Sequence, residues 1–324
     1  MKKSIIKSMT NSKKWFIVTE ASMAVLVLIL ALLLFLEKKW NEPRLVSVIV
    51  QNSDDSQWSA FRYGLKMAAQ DQGMELFVVS TGDGMDLEEE MEIAQREIDR
   101  GADAVILQPA AGTDPQALLK KLEQRVPVVL VESAAIKVRD ASVLPVVEPD
   151  HYAMGKAIAE ELLKDYNGKI DGKSFGIVTE NAGSEAGMKR QKGVLDILRN
   201  AGAHISWFAQ NSLESQPKVD VVLALDDSSL TAAAEYAAAN NLHRALVYGI
   251  GHSTEAVYYL DTGIVKCMVV PDAFYMGYQS MTQAAEYLHS YFYYGQDQTV
   301  SHTVIRRREL FSKKNQELLF TMSQ

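Results

Sequence analysis

From Leu45 onward, short apolar runs alternate with segments of helical length, and this rhythm constrains the fold more than any other feature of the chain. Ten runs read as strands: Val46–Val50, Glu75–Val79, Asp103–Leu107, Val128–Val131, Val143–Val147, Ser174–Val178, His204–Phe208, Val221–Leu225, Ala245–Gly249 and Lys266–Val270. Nearly all are continuously apolar rather than alternating, as strands covered on both faces of a parallel sheet must be. Residues 45–324 hold more strands than one doubly wound sheet of about five or six takes up. The expectation is an α/β protein of two Rossmann-like lobes, each a parallel sheet flanked by helices, with right-handed crossovers.

The intervening segments carry helix signals. Gln57–Gly73 places Trp58, Phe61, Leu65 and Ala68 on one stripe and ends in glycine. Leu87–Gly101 does the same with Leu87, Met91, Ala94 and Ile98. Asp150 is a good N-cap for a helix closing at Gly168, and Asp54 reads as the cap of the first helix. Gly183–Gly202 and Asp272–Gly295 complete the larger set; the aromatic residues near the end of the latter read most simply as a helix face.

The first 44 residues differ from the rest. They carry eight Lys or Arg against three Glu, a net +5, which leaves −13 for the body of a chain whose total is −8. Trp15–Leu36 is strongly apolar and follows five lysines. At about 1.5 Å per residue it is long enough to span a bilayer core of roughly 30 Å, with Glu20 about one turn inside. The lysines favour a cytoplasmic N-terminus and an extracytoplasmic body. Bulky and charged residues follow the run where a cleaved signal peptide needs small ones. The reading is a basic cytoplasmic tail at 1–14, an uncleaved transmembrane signal-anchor at 15–36 and a short tether at 37–44, with Trp40 at the interface.

An acidic body argues against nucleic acid, whose phosphates need clustered Lys and Arg. The single cysteine, Cys267, lies in an apolar run and reads as a buried, inert thiol. The six histidines show no close zinc spacing, so no metal is expected. Ser80–Asp86 contains Gly-x-Gly, but no third glycine follows at the needed distance, and it trails the second strand. No P-loop, no Gly-x-Ser-x-Gly and no nucleophile–base pair stands at a strand end, so neither an enzyme nor a cofactor is expected.

In open parallel sheets, ligands sit beyond the carboxyl ends of the strands. That rule nominates residues 51–55, 108–111, 132–134, 180–184, 226–228 and 249–253. Asp55 also suits a first-turn helix charge, Trp58 also suits the core, and Arg190 also suits a solvated helix face.

Several stretches, in order, resemble one family. Val46–Val79 resembles the opening strand–helix–strand of the ribose/galactose-type periplasmic sugar-binding proteins. Gln95–Ala110 is similar to the second helix and third strand of that family, and Val126–Ser133 to the fourth strand. Glu148–Leu163 matches the passage into the second lobe, Gly183–Leu198 the ligand loop and its helix, and Val221–Asn241 the next strand and helix. The resemblance covers about 45–309. It implies two lobes joined by three hinge crossings and closing on a small ligand. Lobe one would be 45–148 plus 272–299, and lobe two 149–271 plus 300–324.

The resemblance also assigns ligand contacts. Asp55 falls where a polar side chain bonds a sugar hydroxyl, and Trp58 where an aromatic ring stacks on the sugar face. Gln51 belongs to the same strand end. Glu132 stands for the usual aspartate, Ser133 for the arginine that often follows, and Arg190 coincides with the ligand-loop arginine. Asp226 takes a position usually held by Asn or Asp. The late aspartate of the family is Gly251, followed by His252, and its hinge glutamine is Pro271. These two departures leave room for an amine-bearing or otherwise cationic ligand. A third is structural: only twelve residues lie between Phe208 and Val221 where the family has a crossover helix, so one helical turn or an extended strap is expected.

The function implied is a membrane-tethered extracytoplasmic solute-binding protein. It would close on a small polar, sugar-like ligand and present it to an ABC-type permease or a sensor histidine kinase. The competing readings are a degenerate binding-protein fold acting as a protein-interaction module, an α/β enzyme, and a ligand-responsive repressor, which lacks a DNA-binding head here.

Overall fold

A computed structural model describes residues 20, 22–30, 43–51, 58–82, 85–110, 115–132, 144–180, 182–210, 212–239, 245–290 and 295–320. The chain forms two compact units, residues 1–43 and 44–324. In the first, residues 20 and 22–30 are helical and exposed. Among the described residues no helix is long and apolar enough to cross a membrane, and the remainder of the expected anchor at 15–36 lies outside them.

The second unit contains two six-stranded sheets. The first is built from β1 (Leu45–Gln51), β2 (Glu75–Thr81), β3 (Ala104–Leu107), β4 (Val128–Val131), β5 (Val146–Pro149) and β11 (Gln298–Val300), in the order β11-β5-β4-β3-β1-β2, all parallel. The second is built from β6 (Ser174–Val178), β7 (His204–Ala209), β8 (Val221–Ala224), β9 (Leu246–Ile250), β10 (Val265–Pro271) and β12 (His302–Ile305), in the order β12-β10-β9-β8-β6-β7. Here the expectation of wholly parallel sheets is corrected: β12 runs antiparallel to β10, pairing Met268 with Ile305 and Pro271 with His302. The chain enters this edge directly from β11 across Ser301, with no crossover helix to reverse its direction.

Central strands are buried on both faces. Every residue of β3, β4 and β8 is buried, whereas the edge strands β2 and β7 mix exposed and buried positions. Side chains alternate across the sheet. Val46, Val48 and Val50 of β1 pack on the side of helices α1 (Ser59–Gln72) and α8 (Ala273–His289), and Ile49 on that of α2 (Leu87–Asp99) and α3 (Pro115–Glu123). The second sheet is covered on one face by α4 (His151–Asp165) and α5 (Glu185–Asn200), and on the other by α6 (Asp227–Ala238), α7 (Thr254–Thr262) and α9 (Lys313–Phe320).

Caps begin several of these helices. Asp86 and Glu89 form a reciprocal capping box on α2, and Asp150, Ser184, Asp226, Ser253 and Asp272 each accept a backbone N–H at a helix start. The first helix departs from expectation: Trp58 stands at its N-cap position with no capping side chain. Asp54, expected as that cap, lies outside the described residues. The last expected helix ends at His289, before 291–294, which also lie outside them.

Two helix pairs cross at glycines. A Cβ on Gly64 would stand 2.0 Å from the Phe274 carbonyl oxygen, and one on Gly277 2.1 Å from that of Phe61, where α1 meets α8. In the other lobe, Gly155 and Gly193 stand in the same relation to the carbonyls of Arg190 and Tyr152, where α4 meets α5. These contacts set the height of α1 and α5, whose N-terminal ends face the cleft described below.

The short interval between β7 and β8 is a strap, with no helix among its described residues. Leu213 and Val219 are buried in the sheet's core, and the Trp207 indole, donating to the Pro217 carbonyl oxygen at 2.9 Å, lies over Gly176. A tryptophan and two aliphatic side chains thus cover the sheet where a helix would otherwise lie. Cys267 is fully buried, and burial pushes its thiol up to about 12, which makes it inert at neutral pH.

Candidate functional site

A cleft of about 940 Å³ runs between the two sheets, lined by residues just beyond the carboxyl ends of their strands. Its volume is that of a small-molecule site. Lobe one contributes Gln51 at the end of β1, Gln108–Ala110 after β3 and Glu132 after β4. Lobe two contributes residues that follow β6, β8 and β9, together with Arg190 of α5.

Six of the eight residues singled out in the sequence line this cleft: Gln51, Trp58, Glu132, Arg190, Asp226 and Gly251. Asp55 and Ser133 lie outside the described residues. Gln51 is held at the strand end by its backbone N–H, which donates to Gln108 Oε1 at 3.1 Å. Trp58 is core and cleft wall at once. It is 6% exposed, meets the Phe61 ring edge-on at 5.2 Å, and its indole N–H is buried with no partner among the described residues. Glu132 has φ +45°, a left-handed backbone that side chains other than Asn, Asp or Gly rarely take. Such strain concentrates where a side chain must be aimed at a ligand.

Arg190 is the guanidinium of the cleft. Its Nε donates to His151 Nδ1 at 3.2 Å and its Nη1 to the Leu225 carbonyl oxygen at 2.9 Å. Burial pulls its pKa below the usual value, while the charges of Glu132, Asp226 and Asp227 oppose that shift. His151 is buried, and burial, then Arg190 and Lys189, push its pKa down to about 2, so the ring is neutral. A neutral ring accepting at Nδ1 carries its proton on Nε2.

Asp226 is committed to the fold. Its Oδ1 accepts from Ser229 N at 2.9 Å, and its Oδ2 from Thr179 Oγ1 at 2.7 Å and Glu180 N at 2.8 Å. Gly251 makes room for a neighbour: a Cβ there would stand 2.1 Å from Asp227 Oδ1, which accepts from the backbone N–H groups of His252 and Ser253. The carboxylate missing at 251 is therefore supplied to the same space by Asp227, inside the nominated stretch 226–228.

Glu90 and His151 were not anticipated. The signal was the helical stripe itself. Glu90 falls between Leu87 and Ala94 on the buried face of α2, and His151 shares a face with Met154, Gly155 and Ile158 of α4. Among the described residues no group of His, Cys, Asp and Glu is arranged to hold a metal ion.

The comparisons agree with this architecture. The model of the periplasmic binding protein domain matches residues 46–290. No curated protein sequence matches the chain. Solved structures with a similar fold include GanP, a glucose-galactose binding protein from Geobacillus stearothermophilus, with 19% identity and a TM-score of 0.72 over 83% of this chain and 99% of that one. A carbohydrate transporter solute-binding protein from Agrobacterium radiobacter, in complex with D-arabinose, has 17% identity and a TM-score of 0.71, covering 86% and 99%. The Caulobacter myo-inositol binding protein, bound to myo-inositol, has 21% identity and a TM-score of 0.69, covering 85% and 99%. With the family match reaching from β1 through α8 and a cleft at the strand ends, the chain belongs to the periplasmic binding protein domain family, a family of binding proteins rather than enzymes.

Proposed function

We propose that this protein is a membrane-tethered, extracytoplasmic solute-binding protein whose lobes, 45–148 plus 272–299 and 149–271 plus 300–324, close on a small, sugar-like ligand. The observation that carries the reading is the cleft: about 940 Å³, at the strand ends of two facing lobes, with an aromatic wall at Trp58 and a guanidinium at Arg190. Similar folds hold D-arabinose and myo-inositol. Apolar ring faces gain from an aromatic wall, and ring hydroxyls take charge-assisted hydrogen bonds. Asp55 and Ser133 complete the proposed contact set. Residues 15–36 anchor the body outside the membrane, in keeping with the lysines before them. The closed form is read by an ABC-type permease or a sensor histidine kinase.

Thermal unfolding of the full chain in mild detergent, screened against sugars, polyols and amino sugars, tests this. A true ligand at 100 times its Kd adds about 2.7 kcal/mol of stability. Trp58→Ala should abolish the shift while the variant still unfolds cooperatively. A broad screen with no shift would remove the ligand and favour an interaction module. Retention of the protein in carbonate-washed membranes tests the anchor.

A further inference from the structure

The charges of the cleft are divided unevenly between the lobes. In lobe two the carboxylates of Asp226 and Asp227 are occupied by hydrogen-bond donors at the start of α6, where the helix dipole also favours them. Arg190 is faced by these two and by Glu132. In lobe one the balance is different. Glu90, in the first turn of α2, is 1% exposed and lines the cleft. One oxygen, Oε2, accepts from Ala110 N at 2.8 Å. Among the described residues the other oxygen has no hydrogen-bond partner and no ion pair reaches the carboxyl. Lobe one's described cleft residues include no Lys, Arg or His.

A carboxyl buried but for one oxygen that opens onto the cleft, with no counterion, is costly for the empty protein in its charged form. A fold that only needed to fill this space would do better with glutamine or methionine. The group has a use if the counterion arrives with the ligand. An ammonium in the cleft supplies the missing charge and a donor to the open oxygen, whereas a neutral hydroxyl supplies the donor alone.

We propose that Glu90 contacts the ligand, and that the ligand is a hydroxyl-bearing ring or chain with one protonated nitrogen, an amino sugar being the simplest form. This rests on the solute-binding reading and names its substrate class. The ammonium sits against Glu90 on lobe one, and the hydroxyls face Trp58 and Arg190. Burial raises the Glu90 carboxyl to about 7 in the empty protein. The other titratable groups lining the cleft are Glu132 after β4, Glu180 after β6, Arg190 from α5, Asp226 and Asp227 at the start of α6, and His252 after β9, while His151 at the head of α4 is neutral; the Glu90 shift comes from burial, opposed by the Ala110 N–H. To the extent that Glu90 is protonated in the empty protein, binding an ammonium ionises it and releases a proton.

The test pairs amines with their hydroxyl counterparts: D-glucosamine against D-glucose, and D-galactosamine against D-galactose, titrated calorimetrically into the full chain in detergent at pH 6.5. The expected result is an amine that binds at least tenfold tighter than its partner. Titration in buffers of different ionisation enthalpy should show proton release for the amine alone. Glu90→Gln should erase both the preference and the proton release. Glu90→Asp, which keeps the charge on a shorter arm, should weaken amine binding but keep the release. A neutral sugar that binds as tightly as its amine, or a Glu90→Gln protein that still prefers the amine, overturns the proposal and leaves the solute-binding reading standing. No binding by any of the four probes overturns the amino-sugar assignment; the solute-binding reading falls with it only if the wider screen is also silent.

Discussion

The two lobes solve one packing problem in the same way and one electrostatic problem in opposite ways. In each, a helix that follows the first strand of its sheet crosses a hinge-side helix at paired glycines, α1 on α8 and α5 on α4. That close approach fixes the helix ends that present Trp58 on one side and Arg190 on the other. Their cleft surfaces then diverge. Lobe two ties its aspartates into helix caps and balances its arginine. Lobe one presents an aromatic wall, a strained Glu132 and an unbalanced Glu90. One lobe is thus electrostatically complete without ligand, while the other is not.

The shared part of this comparison breaks most severely at the glycines. Gly→Ala inside a helix ordinarily gains about 1 kcal/mol of propensity. At Gly277 and Gly155 the added methyl would stand within 2.1 Å of a backbone carbonyl oxygen, so the helices must separate. Gly277→Ala and Gly155→Ala should each cost about 3 kcal/mol in urea unfolding. A loss below about 1 kcal/mol at either would show that the crossing is not what fixes that lobe.

The electrostatic contrast is tested by pH. The Glu90 carboxyl is raised from 4.5 to about 7 by burial, the Ala110 N–H opposing the shift. The folded state therefore binds more protons than the unfolded state between those values. Its stabilising share is complete below about pH 4.5 and is lost as pH rises through about 7. The difference amounts to about 3 kcal/mol. Comparing wild type with Glu90→Gln by urea unfolding from pH 4.5 to 8 isolates it. A pH dependence unchanged by the substitution would put the loss elsewhere.

Asp226 and Glu132 should respond with opposite signs. Asp226→Ala removes a helix cap and two further hydrogen bonds and should cost about 2 kcal/mol. Glu132→Gly relieves a left-handed backbone and should gain about 1 kcal/mol while weakening ligand binding. Equal losses at both would mean that Glu132 is as structural as Asp226.

Much of this architecture was legible because continuous apolar runs leave few alternatives: β1 to β10 each overlap one of those runs, β5 only at Val146 and Val147. The two strands that escaped, β11 and β12, are three and four residues long, carry Gln, His and Thr, and lie at sheet edges where one covered face suffices. The first helix begins later than its polar leader implied, because Trp58 rather than an aspartate occupies its N-cap position. The strand-end rule found the cleft, since topology alone decides where the carboxyl ends gather. It could not reveal which acids are spoken for. Asp226 reads as a ligand contact and is satisfied by Thr179, Glu180 and Ser229, whereas nothing in the run Glu88-Glu89-Glu90 sets Glu90 apart from its neighbours. Side-chain commitment depends on partners distant in sequence, and only the helical stripe through Leu87, Glu90 and Ala94 hinted at it.

The smallest expected effect, that of Trp207→Phe, concerns a place where the lobes differ in backbone coverage. Lobe one flanks its sheet with α2 and α3, but lobe two spans from β7 to β8 with the strap over Gly176. If the Trp207 indole replaces a helix by packing, its ring matters more than its N–H. Trp207→Phe keeps an aromatic plug and loses the bond to the Pro217 carbonyl oxygen, so it should cost about 1 kcal/mol. Trp207→Ala opens the sheet face and should cost a further 2 kcal/mol or so. Because the strap lies on the face away from α4 and α5, neither change should alter ligand affinity beyond about twofold, as read by the same calorimetric titration. A larger change in affinity would mean that this strap holds the lobe-two strand ends at the height the ligand requires.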